Sequence, residues 1–215
     1  MRRIPLLTAV LILAATSVSA AEWHLGLQAG SNSSGLNGDS PSGVSLGKQS
    51  GLATGLVAEI RISDDVWLSA QPMYLQRGAT STIPVSGQVE KLEGPSLSLD
   101  YFAVPILAKI TADNGRTYVV GGINPAFLLD AEITDGDVTT DASSAVNSFD
   151  LAADFGFGAL FPVKSAMLNV ELRYEQSILN LAATDREDGE DGFPARFRST
   201  GFQFLAGLTW PLGGK

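Results

Sequence analysis

The sequence predicts an all-β fold: an eight-stranded antiparallel up-and-down transmembrane β-barrel of the outer-membrane type. Three observations carry that expectation. The chain opens with an export leader, its remainder divides into eight segments of alternating apolar and polar residues, and the connections between them alternate strictly between long and short.

The leader comes first. "MRR" supplies a basic start, "IPLLTAVLILAA" an apolar run and "TSVSA" a small-residue end suited to cleavage after Ala20. The apolar run is shorter than the roughly 20 residues that a spanning helix needs. Residues 1–20 are therefore expected to be a signal peptide and residues 21–215 the barrel domain. Losing Arg2 and Arg3 leaves 12 of the 14 basic residues against 23 acidic ones, which moves the formal net charge from −9 to −11. Such a chain repels nucleic acid. Cysteine is absent, so an exported fold must hold without disulfides.

The eight segments fall near 22–32, 50–63, 66–80, 96–111, 116–131, 147–162, 166–181 and 198–211. Most reach the 9–11 or so residues that a tilted membrane strand needs. The connections 63–65, 111–116 and 162–166 are short and rich in turn formers. Those near 33–49, 81–95, 132–146 and 182–197 are long and rich in Gly, Ser, Asp, Thr and Pro. Short turns on the periplasmic side and long loops outside are the layout of an outer-membrane barrel, with both termini periplasmic.

Within each segment the two faces differ. In "FDLAADFGFGALF" (149–161), Phe149, Leu151, Ala153, Phe155, Phe157, Ala159 and Phe161 alternate with Asp150, Ala152, Asp154, Gly156, Gly158 and Leu160. "LATGLVAEIRI" (52–62), "LNVELRYEQSI" (168–178) and "TGFQFLAGLTW" (200–210) follow the same rule. If the greasy face meets lipid, the polar face fills the lumen. Glu59, Arg61, Arg77, Lys109, Asp150, Asp154, Glu171, Arg173 and Glu175 are then expected to form a lumen charge network. Unpaired ions in a confined space are expensive, so these groups should pair and plug the barrel. Trp23, Trp67, Tyr118, Phe161 and Trp210, near the short-turn ends, read as a periplasmic aromatic girdle, with Tyr74 and Tyr174 further along.

Five stretches in order, "LSAQPMYLQRGA", "LDYFAVPILAKI", "YVVGGINPAFLL", "FDLAADFGFGALF" and "LNVELRYEQSILNL", resemble the PorT-type small outer-membrane β-barrel family. The matching positions are Gln76-Arg77-Gly78, Tyr101 to Lys109, Gly121-Gly122, Phe149-Asp150 and Glu171-Arg173-Tyr174. The resemblance implies an eight-stranded outer-membrane barrel and no single activity, so no catalytic residue carries over. The chain departs in having Arg77 where the pattern has Lys, and in ending "TWPLGGK" without a terminal aromatic residue.

Little else carries chemistry. His24 is the one histidine, and a Ser-His-carboxylate site would have to use it. It lies near the periplasmic start of the barrel and reads as a lumen or interface residue. Asp154 with Glu171 or Glu175 forms potential acid–base pairs, yet Arg61, Arg77, Lys109 and Arg173 share the same face, which makes a structural network the simpler reading. "TDREDGEDG" (184–192) does not match an EF-hand loop and reads as solvated, with bridging of lipopolysaccharide phosphates by a bound cation as its functional alternative. "GGINPAF" (121–127) has no following helix or Lys-Ser/Thr and is not a phosphate loop.

The expected protein is a non-enzymatic integral outer-membrane barrel of a Gram-negative bacterium, with a structural or loop-mediated interaction role and no metal or cofactor. Its expected partners are outer-membrane lipid and lipopolysaccharide, the barrel-assembly machinery and a protein met through the long loops. The alternatives are a soluble periplasmic or secreted barrel holding a lipid-like ligand, an outer-membrane lipid hydrolase and a narrow channel. N-terminal sequencing of the exported protein should begin at Ala21; a mature chain retaining residues 1–20 would refute the leader.

Overall fold

The computed structural model describes residues 22–38, 45–84, 91–182 and 196–212; the leader and the acidic run 184–192 lie outside the described residues. Its strands are β1 (Trp23–Gly38), β2 (Ser45–Arg61), β3 (Val66–Ala70), β4 (Met73–Pro84), β5 (Lys91–Ala103), β6 (Ile106–Thr111), β7 (Thr117–Asp135), β8 (Val138–Asp141), β9 (Phe149–Val163), β10 (Ala166–Ser177) and β11 (Phe197–Leu212).

These make eight staves, because β3 runs into β4, β5 into β6, and β8 is only a hairpin extension of β7. The two interruptions fall at Pro72 and Pro105. Proline has no N–H to give to the ladder. Its carbonyl still accepts: Leu56 N donates to Pro72 O, Gln71 N to Pro105 O and Val104 N to Pro125 O, each at 2.9 Å. The inward and outward alternation runs unbroken through both sites, from buried Trp67 to Ser81 and from buried Leu97 to Lys109.

All neighbouring pairs are antiparallel, and β1 pairs with β11 from Trp23↔Leu212 to Gly38↔Phe197, which closes the ring. The register gives the stagger. Starting at Thr117 and passing through Ala159, Val170, Ala206, Ala29, Thr54, Tyr74 and Phe102, the partners return to the same strand at Phe127, ten residues along. Ten residues of rise spread over eight interstrand spacings tilts the strands by roughly 40°.

The greasy face is the outside. Phe155 and Phe157 are each 61% exposed, while Asp150 and Asp154 are 0% exposed. A soluble barrel with its apolar faces inward is excluded by that inversion. Strands run further than the sequence suggested: β1 reaches Gly38, β2 begins at Ser45, and the third long connection forms the β7–β8 hairpin with a 3₁₀ turn at Ser143–Ala145. Polar strand ends beyond the hydrocarbon look like loops in composition, yet pairing with a neighbour keeps them extended.

The short turns sit where expected. Asn114 Oδ1 accepts the backbone N–H of Arg116 and Thr117, and Gly115 takes φ 63°. Between β9 and β10, Val163 pairs with Ala166 across a two-residue turn in which Lys164 holds φ 55°. Glycine favours that region and a lysine is strained there. Replacing it, Lys164→Gly, should raise the unfolding free energy in urea by about 1 kcal/mol. A fall in stability would contradict the strained-turn reading.

Candidate functional site: the lumen

The inward residues form three polar tiers beneath an apolar cap. At the periplasmic end Lys109 Nζ lies 3.0 and 3.1 Å from the two carboxylate oxygens of Glu59 and 4.7 Å from the Tyr118 ring centroid. His24 stacks on Trp67 with centroids 4.5 Å apart and lies 3.5 Å from Glu22 and 3.9 Å from Glu59. Glu22, His24, Glu59, Trp67 and Lys109 border a cavity of about 490 Å³ at this end.

The middle tier centres on Arg173, which is fully buried. Its Nε donates to Glu171 Oε1 at 2.8 Å, and Nη2 contacts the same oxygen and donates to Gln71 Oε1 at 2.7 Å. Gln28 Nε2 donates to Gln71 Oε1 at 3.0 Å, and Tyr118 OH to Glu171 Oε2 at 3.0 Å. Asp154 lies 3.5 Å from Arg173 Nη1 and accepts no hydrogen bond within the protein. Gly158 makes room for this arrangement: a Cβ there would overlap the Tyr118 ring.

In the upper tier Arg77 Nη1 donates to Asp150 Oδ2 at 2.6 Å, and Ser177 donates to the same oxygen at 2.6 Å. Arg77 Nε lies 2.8 Å from Glu175 Oε1, a charge contact outside hydrogen-bonding angles. Asn124 and Gln203 donate to Glu175 Oε2 at 2.7 and 3.1 Å. The guanidinium also lies over Tyr101, 4.8 Å from its centroid.

Above this the lumen turns apolar. Leu97, Leu99, Leu181 and Phe197 lie there in one buried cluster, which also runs down beside the charged tiers through Tyr101, Leu75 and Met73. A lumen filled by charge alone does not include this cap. Its signal was present in "LSLDYFA", where Leu97, Leu99, Tyr101 and Ala103 share one parity while Ser98 and Asp100 take the other, so that here the greasier face points inward.

Of the nine expected network residues, Glu59 and Lys109 form one pair, and Arg77, Asp150, Asp154, Glu171, Arg173 and Glu175 meet in the tiers above. Arg61 does not join them. It sits half-exposed at the periplasmic rim, with Nη1 2.9 Å from Glu22 Oε2 and Nη2 bonded to the Asp64 carbonyl at 3.0 Å. The chain leaves the barrel at Arg61, and solvent outcompetes the lumen for its charge. The girdle also needs correction. Phe161 and Trp210 face outward, but Trp67 and Tyr118 are buried and point inward. Trp67 shares parity with Ser69 and Gln71, which marks it as a lumen residue.

Among the described residues no group of three or more His, Cys, Asp or Glu is arranged to hold a metal ion. On the outer hairpin, hydrogen bonds from the Ser143 hydroxyl and backbone N–H hold the Asp141 carboxyl below its usual range. That end of β8 therefore stays anionic. A second cavity of about 910 Å³ opens at the outer rim between the ends of β1, β10 and β11, bordered by Asn37, Gln176, Arg196 and Arg198.

Residues 14–183 match the model of the family described as outer membrane protein beta-barrel domain. No curated protein sequence matches the chain. Among solved structures, the outer membrane protein AlkL in lipid bilayers is similar at TM-score 0.50 and 16% identity, covering 90% of this chain and 91% of that one. OprG from Pseudomonas aeruginosa gives 0.48 and 11%, covering 90% and 96%. Ail from Yersinia pestis gives 0.44 and 13%, covering 87% and 98%. At these identities the likeness is one of fold.

Reversing the central charge, Arg173→Glu, sets it against Glu171 and Asp154, and breaking a buried ion pair costs about 3–5 kcal/mol. Urea unfolding and heat-modified gel mobility should show a loss of at least that size. Asp188→Asn in the acidic run should stay within about 0.5 kcal/mol of the parent. Equal effects in the two variants would remove the structural role assigned to the network.

Proposed function

Because the chain belongs to the outer membrane protein beta-barrel domain family, we propose that it is a closed, non-enzymatic outer-membrane barrel that works through its outer loops and surface rather than through its lumen. The observation that carries this reading is the 0% exposure of the Arg77, Asp150, Asp154 and Arg173 side chains beneath an apolar cap. A conducting path needs water along its length, and here charged groups that would line one are spent on each other. The PorT-type resemblance rests on positions of both faces: Arg77, Tyr101, Lys109, Asp150, Glu171 and Arg173 point into the lumen, and Gln76, Phe149 and Tyr174 point outward. Structural roles for them account for the motif without any shared activity.

A non-enzymatic role is favoured by how His24 is held. Its ring is stacked on Trp67 and its neighbouring carboxylate Glu59 is committed to Lys109. Among the described residues no hydroxyl is hydrogen-bonded to His24, so a general base has no nucleophile in place.

Reconstitution into planar lipid bilayers tests the closed lumen. The protein should give no discrete current steps at ±100 mV or so, the order of a membrane potential. Stepwise conductance from the folded, heat-modifiable species would replace this reading with the channel alternative.

A further inference from the structure

We propose that the lumen binds a calcium ion between the two arginine tiers, held by the carboxylates of Asp154 and Glu175 and by the side-chain amide oxygens of Asn124 and Gln203. The site is independent of the closed-lumen reading, because its readout is bound metal rather than current.

Charge asks for a cation there. Above the Lys109–Glu59 pair, the buried cations among the described residues are Arg77 and Arg173, and the buried carboxylates are Asp150, Asp154, Glu171 and Glu175. Four negative groups against two positive ones leave two charges unbalanced in an interior closed to water. Buried charge without a counter-charge is strongly unfavourable. A divalent cation supplies the missing two charges.

Register brings the ligands together. Asp154 and Glu175 are direct partners on β9 and β10. Asn124 Nδ2 and Gln203 Nε2 both donate to Glu175 Oε2, at 2.7 and 3.1 Å, so β7 and β11 each send a side chain to one carboxylate. Gly122 pairs with Asp154, which sets Asn124 two residues above that partner; Arg173 pairs with Gln203, which sets Gln203 two residues below the partner of Glu175. Strand tilt offsets these steps and leaves all four residues within about 3 Å of one height.

Their remaining oxygens face one another without donors. Asn124, Asp154, Glu175 and Gln203 are each 0% exposed. Asn124 Oδ1, Gln203 Oε1, Glu175 Oε1 and both carboxylate oxygens of Asp154 accept no hydrogen bond among the described residues. Arg173 Nη1 lies 3.5 Å from Asp154 and Arg77 Nε lies 2.8 Å from Glu175, but neither contact is a hydrogen bond. The donor set is all oxygen, which suits a hard cation. It needs no third acidic residue, because amide carbonyls complete it. Calcium accepts about six to eight oxygens in flexible geometry, amide carbonyls included. Magnesium demands a near-regular octahedron and keeps several waters, which a fully buried site on four strands does not provide.

The test refolds the exported protein from urea into detergent micelles with calcium, with magnesium or with a calcium chelator. After desalting, bound metal is counted by plasma mass spectrometry and stability is read by urea unfolding. The calcium-refolded barrel should keep about one equivalent of metal and unfold at higher urea than the chelator-refolded one. Magnesium should be neither kept nor stabilising. Asp154→Asn should lose about tenfold or more in calcium affinity, because affinity follows ligand charge. If that variant does not fold, Gln203→Met, which removes an amide oxygen at similar length, is read in the same way. Glu22→Gln, at the periplasmic rim, should bind as the parent does. A folded wild type that keeps no calcium and unfolds alike with and without chelator overturns the proposal and leaves protons to balance the surplus charge. Equal retention of magnesium also overturns it, as does calcium binding unchanged in a variant that keeps its heat-modified mobility.

Discussion

Closure of the hydrogen-bond ladder between β1 and β11 is the constraint on which the rest of the molecule depends. Inside a bilayer no water is available to an unpaired N–H or carbonyl, so a sheet survives there only without edges. The sixteen-residue seam from Trp23↔Leu212 to Gly38↔Phe197 removes the edges, and its stagger of ten residues sets the tilt and hence the bore. Pro72, Pro105 and Pro125 each withhold one donor from this ladder, on neighbouring staves, and each still accepts through its carbonyl. The ring tolerates these losses because the flanking pairs remain in register.

A fixed, narrow bore then dictates the interior chemistry. Eight staves leave only enough room for their own side chains. Among the described residues the buried charges are Arg77, Lys109 and Arg173 against Glu59, Asp150, Asp154, Glu171 and Glu175. Each cation is shared or matched, Gln71 accepts from Arg173, and Asn124, Gln203 and Tyr118 donate to the carboxylate oxygens that remain. Carboxylates outnumber cations, and Asp154 is left with only the longer contact to Arg173. The apolar cap above completes the plug by packing rather than by charge. Lipid outside and ion pairs inside thus follow from one geometric fact.

Much of this was legible in the chain. Period-two alternation separated Phe155 and Phe157 from Asp150 and Asp154, and loop length gave the orientation in the membrane. Eight of the nine expected lumen residues do point inward and meet a partner. Arg61 failed because parity says nothing about where the membrane ends, and one residue past the rim a charge prefers water. Residue type places Trp67 and Tyr118 in the girdle, whereas parity places them inside, where Trp67 stacks on His24 and Tyr118 lies over Lys109 and against Gly158. Leu97 and Leu99 point inward and pack there with Leu181 and Phe197.

The sequence alone determined the class of fold, the number of staves, their direction and which side chains share a face. Each of these depends on local periodicity and on turn chemistry, which are written in neighbouring residues. Only the tertiary structure decided the pairing of Arg77 with Asp150, of Arg173 with Glu171 and Asp154, and of Lys109 with Glu59. These contacts depend on register around a closed ring, and a stagger of ten residues is a property of all eight staves together rather than of any one of them.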